Sequence, residues 1–276
     1  MMPSNNPRPA FQASLPMYDF PEIARAHDQW WAGIRTCLEQ EGMADIPESL
    51  RHEQPVRSLW DDPGLLLSQC CGYDVVHRYR EPFSILLVPH YAAPGCSGPC
   101  YSSRVLVHED SRFDTLESLR GAVAVINGPE SQSGMNGLMC LVQPLQQDGR
   151  FFSRIQVSGA HVSSLAALQQ RQADVAAIDC VTHALLARYR PAAVQGLRQI
   201  GWTASVPGLP YVTLTGYPEA QQAALRRALM SAFVAPALKP VREALLLDGF
   251  SLLGAQDYRV IGEQMVFDPR LLDVMT

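Results

Sequence analysis

The chain has 276 residues, 22 Lys+Arg against 27 Asp+Glu, a formal net charge of −5, 47% hydrophobic residues and 18% charged ones. Those proportions exclude disordered, collagen-like and fibrous chains. Lys239 is the single lysine and Arg226-Arg227 the one adjacent basic pair, which excludes a phosphate-backbone binder, so no nucleic-acid partner is expected.

The elements follow from hydrophobic period. Residues 13–18 are expected to form a short strand ending at the turn Asp19-Phe20-Pro21. Pro21 suits a first helical turn, where its missing N–H costs nothing. The helix after it, about 22–41, carries Ile23, His27, Trp30, Trp31, Ile34, Cys37 and Leu38 near one face and stops at Gly42. Continuous apolar runs at 65–69 and 84–88 predict strands buried on both faces. Residues 103–108 alternate as a strand, 116–121 form a short helix with a glycine stop, and 122–127 form a buried strand. A helix over about 133–147, a strand at 155–158, a helix over 161–172 and a strand at 175–179 follow. This β-α-β-α-β order favours a parallel sheet with helices on its faces. Strands are expected at 197–203 and 211–215, and helices over 218–238 and 240–248. Residues 95–99 and 205–208 carry the two linker signals.

No apolar run reaches the ~20 residues of a membrane span, so the chain is not expected to span one. Seven cysteines, an odd number, preclude complete pairing within the chain. Cys37, Cys140 and Cys180 fall in apolar patterns and read as buried thiols. Cys96-x3-Cys100, with His90 nearby, lacks the second pair that a zinc site needs, so no metal or other cofactor is expected. Residues 1–13 are polar and lack the basic patch and apolar core of a secretory leader. With the cysteines, this reads as a reduced, cytoplasmic chain, or a periplasmic one if a leader has been removed.

The stretch from Asn127 to Asn136, Asn-Gly-Pro-Glu-Ser-Gln-Ser-Gly-Met-Asn, joins a buried strand to a helix. A helix N-terminus presents free N–H groups and partial positive charge. Ser131 and Ser133 add hydroxyls there, and Gly134 allows close backbone approach. Together they make a site for a tetrahedral or carboxylate anion without a lysine; the plainer reading is that a serine caps the helix. His161 opens the next helix after a glycine turn, as an anion donor or as a packed residue. Asp179 ends a buried strand, where ligands bind in open α/β sheets, or it caps the following helix. Ser133, His161 and Asp179 make no compelling hydrolytic triad.

Read in order, Ser131-Gln132-Ser133-Gly134, then Gly159-Ala160-His161 with Ser164-Leu165, then the run from Gln172 to Asp179 resemble the phosphonate-binding type of solute-binding protein from ABC importers. Leu15-Pro16-Met17-Tyr18, Tyr101-Ser102-Ser103 and the stretch from Leu116 to Gly121 resemble it too. The resemblance implies an α/β, two-lobed type II periplasmic-binding-protein-like fold, each lobe a mixed sheet flanked by helices. It implies lobe one at 1–100 plus 205–276 and lobe two at 101–204. Ser131, Ser133 and the backbone N–H groups of Gly134 and Met135 would hold a phosphorus oxyanion, and His161 would contact it. Asp179 would face the other end of the ligand, often an amine. Tyr18 and Tyr101 would be first-lobe and hinge contacts. Two departures stand out. Gln132 is bulky for the serine turn, and the first-lobe loop has an unusual sequence, from which Gln69 and Tyr73 are expected to face the cleft. The implied function is capture of a small oxyanion (phosphonate, phosphate or a related anion) by lobe closure, without catalysis, for an ABC permease or for sensing. The alternative is a cytosolic enzyme of the same fold acting on a small anionic metabolite, with His161 near Asp179 as an acid–base pair.

Overall fold

A computed structural model of the chain describes residues 10–52, 55–147 and 150–264. Its first third contains β1 (Gln12–Ser14), α1 (Ala24–Gln40), α2 (Val56–Trp60), β2 (Leu65–Gln69), α3 (Gly72–His77), β3 (Phe83–Tyr91), β4 (Cys96–Ser97) and β5 (Cys100–Tyr101). The middle contains β6 (Ser103–His108), β7 (Val123–Ile126), α4 (Gly137–Val142), β8 (Arg154–Val157), α5 (His161–Gln169), β9 (Ala176–Asp179), α6 (Cys180–Tyr189) and β10 (Leu197–Trp202). The chain closes with β11 (Val206–Pro207), β12 (Tyr211–Leu214), α7 (Glu219–Val234), α8 (Lys239–Ala244), β13 (Leu247–Ser251) and α9 (Arg259–Glu263).

Two mixed sheets organise these elements. The first runs β1-β2-β12-β3-β13, with β1 parallel to β2 and the other pairs antiparallel. The second is built on β10-β6-β9, all antiparallel, and on the parallel pair β7-β8. A parallel bridge between Ala124 and Val175 joins β7 to the start of β9, and Val125 N–H donates to Val175 O at 2.9 Å.

Period-two alternation accounts for the packing of the second sheet. Val105, Val107, Ala124, Ile126 and Ala177 point to one face and pack with Leu138, Met139 and Val142 of α4. Leu106, Val125, Ala176 and Ile178 point to the other and pack with Leu165 and Leu168 of α5. A sheet with helices on both faces needs strands that are apolar on both sides, which is why these strands read as continuous runs. The first sheet behaves alike: Leu65, Leu66 and Leu67 are all fully buried in one cluster. That cluster also takes Trp30, Trp31, Ile34 and Leu38 from the apolar face of α1. Cys180, Val181 and Leu185 of α6 join the first-sheet cluster while Leu186 joins the second-sheet one, so α6 packs on both.

Several expected elements end elsewhere. The first strand stops at Ser14, because Pro16 has no N–H for a ladder and instead opens a 3-10 turn, Pro16–Tyr18. The helix expected over 133–147 is a π turn (Gln132–Asn136), then α4, then a 3-10 turn (Gln143–Leu145) that contains Pro144. The helix expected over 240–248 ends at Ala244. Leu246 takes φ +57°, and β13 then covers the edge of β3. The expected parallel arrangement holds for β7-β8 and extends through the Ala124–Val175 bridge to the start of β9, whose other edge pairs antiparallel with β6. The two linker signals are strands: β4 and β5 form a hairpin, and β11 pairs with β5. Residues 1–9 of the polar N-terminal stretch lie outside the described residues.

Candidate functional site

A cleft of about 710 Å³ is lined from both sheets and from the loops between them. Its inner wall is polar and nearly closed to solvent: Tyr18, Tyr101 and Asp179 are each 3% exposed, and Ser131 and Ser133 each 9%. Its mouth carries Met17, Phe20, Pro55, Val56 and Val162, with Arg57 and Glu130 forming an exposed ion pair there.

Local structure explains how the serine turn is held. Ser131 caps the π turn: its Oγ accepts from Gly134 N–H at 3.0 Å, and its carbonyl accepts from Met135 and Asn136 N–H at 3.3 and 2.9 Å. The backbone donors of Gly134 and Met135, expected to be free for an anion, are therefore already taken within the turn. Met135 itself is buried in the core behind it. Glycine is favoured at 134 by packing: a Cβ there would stand 1.9 Å from Asn127 Oδ1 and 3.1 Å from His161 Cε1, so the Asn127 amide would have to move. The donors left facing the cleft are side chains.

Ser133 Oγ lies 2.8 Å from His161 Nε2 and 3.4 Å from Ser131 Oγ. Among the described residues, His161 Nδ1 is shielded from solvent without a partner within hydrogen-bonding geometry, and the same holds for Asn127 Oδ1 and for Tyr101 Oη, which faces Ser133. Burial pushes the His161 pKa down to about 4, so the ring is neutral at pH 7. A neutral imidazole that donates from Nε2 to Ser133 Oγ leaves the serine O–H free to donate into the cleft.

Asp179 occupies the end of β9, and its N-cap role is real: Oδ1 accepts from Thr182 N–H at 2.8 Å. Oδ2 accepts from the Tyr18 hydroxyl at 3.1 Å. Burial outweighs these bonds and raises the Asp179 pKa to about 6. Both carboxylate oxygens are thus engaged away from His161, whose Nδ1 lacks the carboxylate a relay requires. The Ser133-His161 hydrogen bond is therefore not backed by a carboxylate, and among the described residues Asp179 bonds Tyr18 and Thr182, not His161.

Gln69 and Tyr73 do not line the cleft. Gln69 Nε2 donates to Tyr91 Oη at 3.0 Å and to Leu209 O at 3.1 Å, buried at the end of β2 in the first sheet. Tyr73 meets the His77 ring at a tilt of 47° and packs against the second-sheet core. The reason is helical spacing: with α3 starting at Gly72, residues 71 and 74 share a face, and Cys71 and Asp74 line the cleft instead. Burial raises the Asp74 pKa to about 6, against the opposing pull of Arg57 and Arg78. Asp74, Arg57, Glu130 and Asn127 were not singled out from the sequence. Recognising the short helix α3 would have found Asp74; the others lie in loops or in a five-residue helix with no distinguishing pattern. Among the described residues no group of His, Cys, Asp and Glu is arranged to hold a metal ion, and no helix is long and apolar enough to cross a membrane.

The fold is shared with solved proteins of low identity. A binding protein component of an ABC phosphonate transporter from Pseudomonas aeruginosa superposes with TM-score 0.72 at 18% identity, covering 93% of this chain and 85% of that one. PhnD1 from Prochlorococcus marinus, solved with methylphosphonate, gives 0.71 at 12% identity, covering 94% and 97%. XAC2383 from Xanthomonas citri, solved with chloride, gives 0.70 at 16% identity, covering 92% and 95%. These neighbours are two-lobed proteins of the periplasmic-binding type, and the α/β class expected from the sequence is the one observed. No curated protein sequence matches the chain. Residues 70–258, more than half of its length, match the family described as "ABC transporter, phosphonate, periplasmic substrate-binding protein". The chain belongs to that family of ligand-binding, non-catalytic transporter components.

Proposed function

We propose that this chain captures a small molecule with a phosphonate, phosphate or related oxyanion head, and presents it to an ABC permease. The head sits at Ser131, Ser133 and Tyr101, and His161 orients the Ser133 hydroxyl. The observation that carries this reading is the chain Ser131-Ser133-His161 beside the buried, unpartnered Tyr101 hydroxyl. A buried hydroxyl without a partner is costly, by about 1–3 kcal/mol, unless a ligand satisfies it.

Charge narrows the ligand. Among the described residues the inner wall holds no cation, since His161 is neutral and the guanidinium lining the cleft, Arg57, is paired with Glu130 at the mouth. It holds carboxyls instead, Asp179 and Asp74, with Asp19 nearby bound to His27 and His52. A zwitterion fits best, with its oxyanion on the neutral donors and an ammonium toward Asp179, which favours the ionised carboxylate. The cleft is roomier than methylphosphonate, the ligand of the Prochlorococcus protein, needs.

Capture proceeds by closure of lobe one (1–100 plus 205–276) on lobe two (101–204), and the ligand biases the closed state by touching both. Tyr18 and Asp179, and Arg57 and Glu130, are pairs across that division. Calorimetry with inorganic phosphate, methylphosphonate, 2-aminoethylphosphonate and acetate tests the reading. Binding of the aminophosphonate with the highest affinity is expected; preference for acetate, or no binding of any phosphorus oxyanion, defeats it.

A further inference from the structure

Cys96 and Cys180 stand 84 positions apart in sequence, yet their Sγ atoms lie 3.4 Å apart. The approach is built into the backbone. Ser102 N–H donates to Gly95 O at 2.9 Å, and Cys180 N–H donates to Ser102 O at 3.2 Å, so one ladder links the β4-β5 hairpin to the start of α6. Gly95 takes φ +107°, and a Cβ there would meet Trp202 at 2.4 Å and the Cys180 Cβ at 3.0 Å. Only glycine lets the hairpin lie this close. Within the hairpin Cys100 faces Ser97, so it does not compete for Cys96.

We propose that Cys96 and Cys180 are a disulfide-forming pair, a cross-link that pins the β4-β5 hairpin to the residue next to Asp179. Bonding distance, about 2.05 Å, is reached by small side-chain rotations from the present separation. Cys96 is partly exposed and Cys180 is buried, which sets the order of events. The Cys96 thiolate attacks a low-molecular-weight disulfide RSSR, forming Cys96–S–SR and releasing RS⁻. Cys180 then loses its proton and attacks the Cys96 sulfur, and the bond to SR breaks. The net change is two protein thiols and one RSSR to one protein disulfide and two RSH. The hydrogen bond to Cys96, burial and the Asp179 charge all hold the Cys180 thiol protonated, which makes the second step the slower one.

The consequence for capture rests on the lobe division proposed above. Cys96 lies just before residue 101 and Cys180 within lobe two, so the bond ties the lobes beside their crossing. The bond itself does not depend on that division.

The test uses the full chain, fully reduced and then incubated with oxidised glutathione. Expected are the loss of two of its seven thiols and, on non-reducing peptide mapping, a fragment joining Cys96 to Cys180, both reversed by dithiothreitol. C96S, an isosteric change at a partly exposed position, is expected to keep all its remaining thiols free or singly glutathionylated. Glutathione retained on Cys96 with Cys180 unmodified overturns the proposal, as does loss of two thiols to an intramolecular disulfide in C96S. A linked fragment in a protein that binds no oxyanion would sink the proposed ligand and leave the cross-link standing.

Discussion

The Tyr18 hydroxyl donates to Asp179 Oδ2 at 3.1 Å, across 161 residues of sequence. The bond joins the turn after β1 to the end of β9, and so the first sheet to the second. It exists because Pro16 ends β1 early and swings Tyr18 toward the cleft. It also partly offsets the desolvation of a carboxyl that the fold has buried.

Asp179 makes stability depend on pH. Its native pKa of about 6 exceeds the ordinary 3.8, so between those values the native state holds a proton that the unfolded chain has released. Stability from this group is full below 3.8, falls as pH rises to about 6, and stays reduced above. Asp179→Asn removes that loss. The variant should be more stable than the parent at pH 7 by up to about 3 kcal/mol. Urea titrations from pH 4 to 7 read the difference; parallel curves for parent and variant would refute the assignment.

His161 acts in the opposite direction. Its native pKa of about 4 lies below the ordinary 6.5, so the unfolded chain binds the extra proton and stability rises with pH between those values. His161→Gln should remove a slope of roughly 1.4 kcal/mol per pH unit across that window. An unaltered slope in the same titration would mean that the ring is protonated in the native state.

Ser133→Ala deletes the hydroxyl that His161 orients. Oxyanion affinity should fall by about 1.5–3 kcal/mol, the worth of a hydrogen bond to a charged group. That is roughly 10- to 100-fold in Kd by calorimetry. Equal affinities for parent and variant would remove the serine turn from the site.

Gly134→Ala places a methyl group against Asn127 Oδ1 and His161. Overpacking of this kind should cost about 1–3 kcal/mol of stability. It should also weaken binding by displacing His161. Adding Asn127→Ala makes room, so the double variant should regain most of the stability. A double variant no more stable than Gly134→Ala alone would show that Asn127 is not the obstacle.

Outside the cleft lining, Trp30 Nε1 donates to the buried Tyr211 hydroxyl at 3.0 Å. Tyr211→Phe keeps the ring and strands the indole N–H, at a cost of about 1–3 kcal/mol. Thermal unfolding measures it, and ligand affinity should be untouched; a melting temperature equal to the parent's would mean that the indole finds another acceptor.

Much of this could be read in advance where the signal is local. The strands over 103–108, 122–127 and 175–179 declare themselves because each must be apolar on both faces, and α1 because its apolar positions recur at helical spacing. Ser131, Ser133, His161 and Asp179 stand at strand-to-helix junctions, which a sequence displays as glycine and serine between apolar runs. β4, β5 and β11 are two residues each, too short to carry a period, and exist because they pair with one another. Asp74 lines the cleft where Tyr73 was expected because the start of α3 decides which side chain turns there, and nothing in six residues marks that start.

The sequence by itself determined the α/β class, the order of the main elements and the junctions that carry the site, since each depends on the spacing of residues close along the chain. Only the tertiary structure decided which polar groups remain free. It used the Gly134 and Met135 donors inside the turn, engaged Asp179 with Tyr18 and Thr182, and left Tyr101 Oη without a partner. Hydrogen bonds and desolvation depend on what lies within a few ångströms in space, and sequence order does not show that Tyr18 meets Asp179 across 161 residues or how a turn spends its own donors.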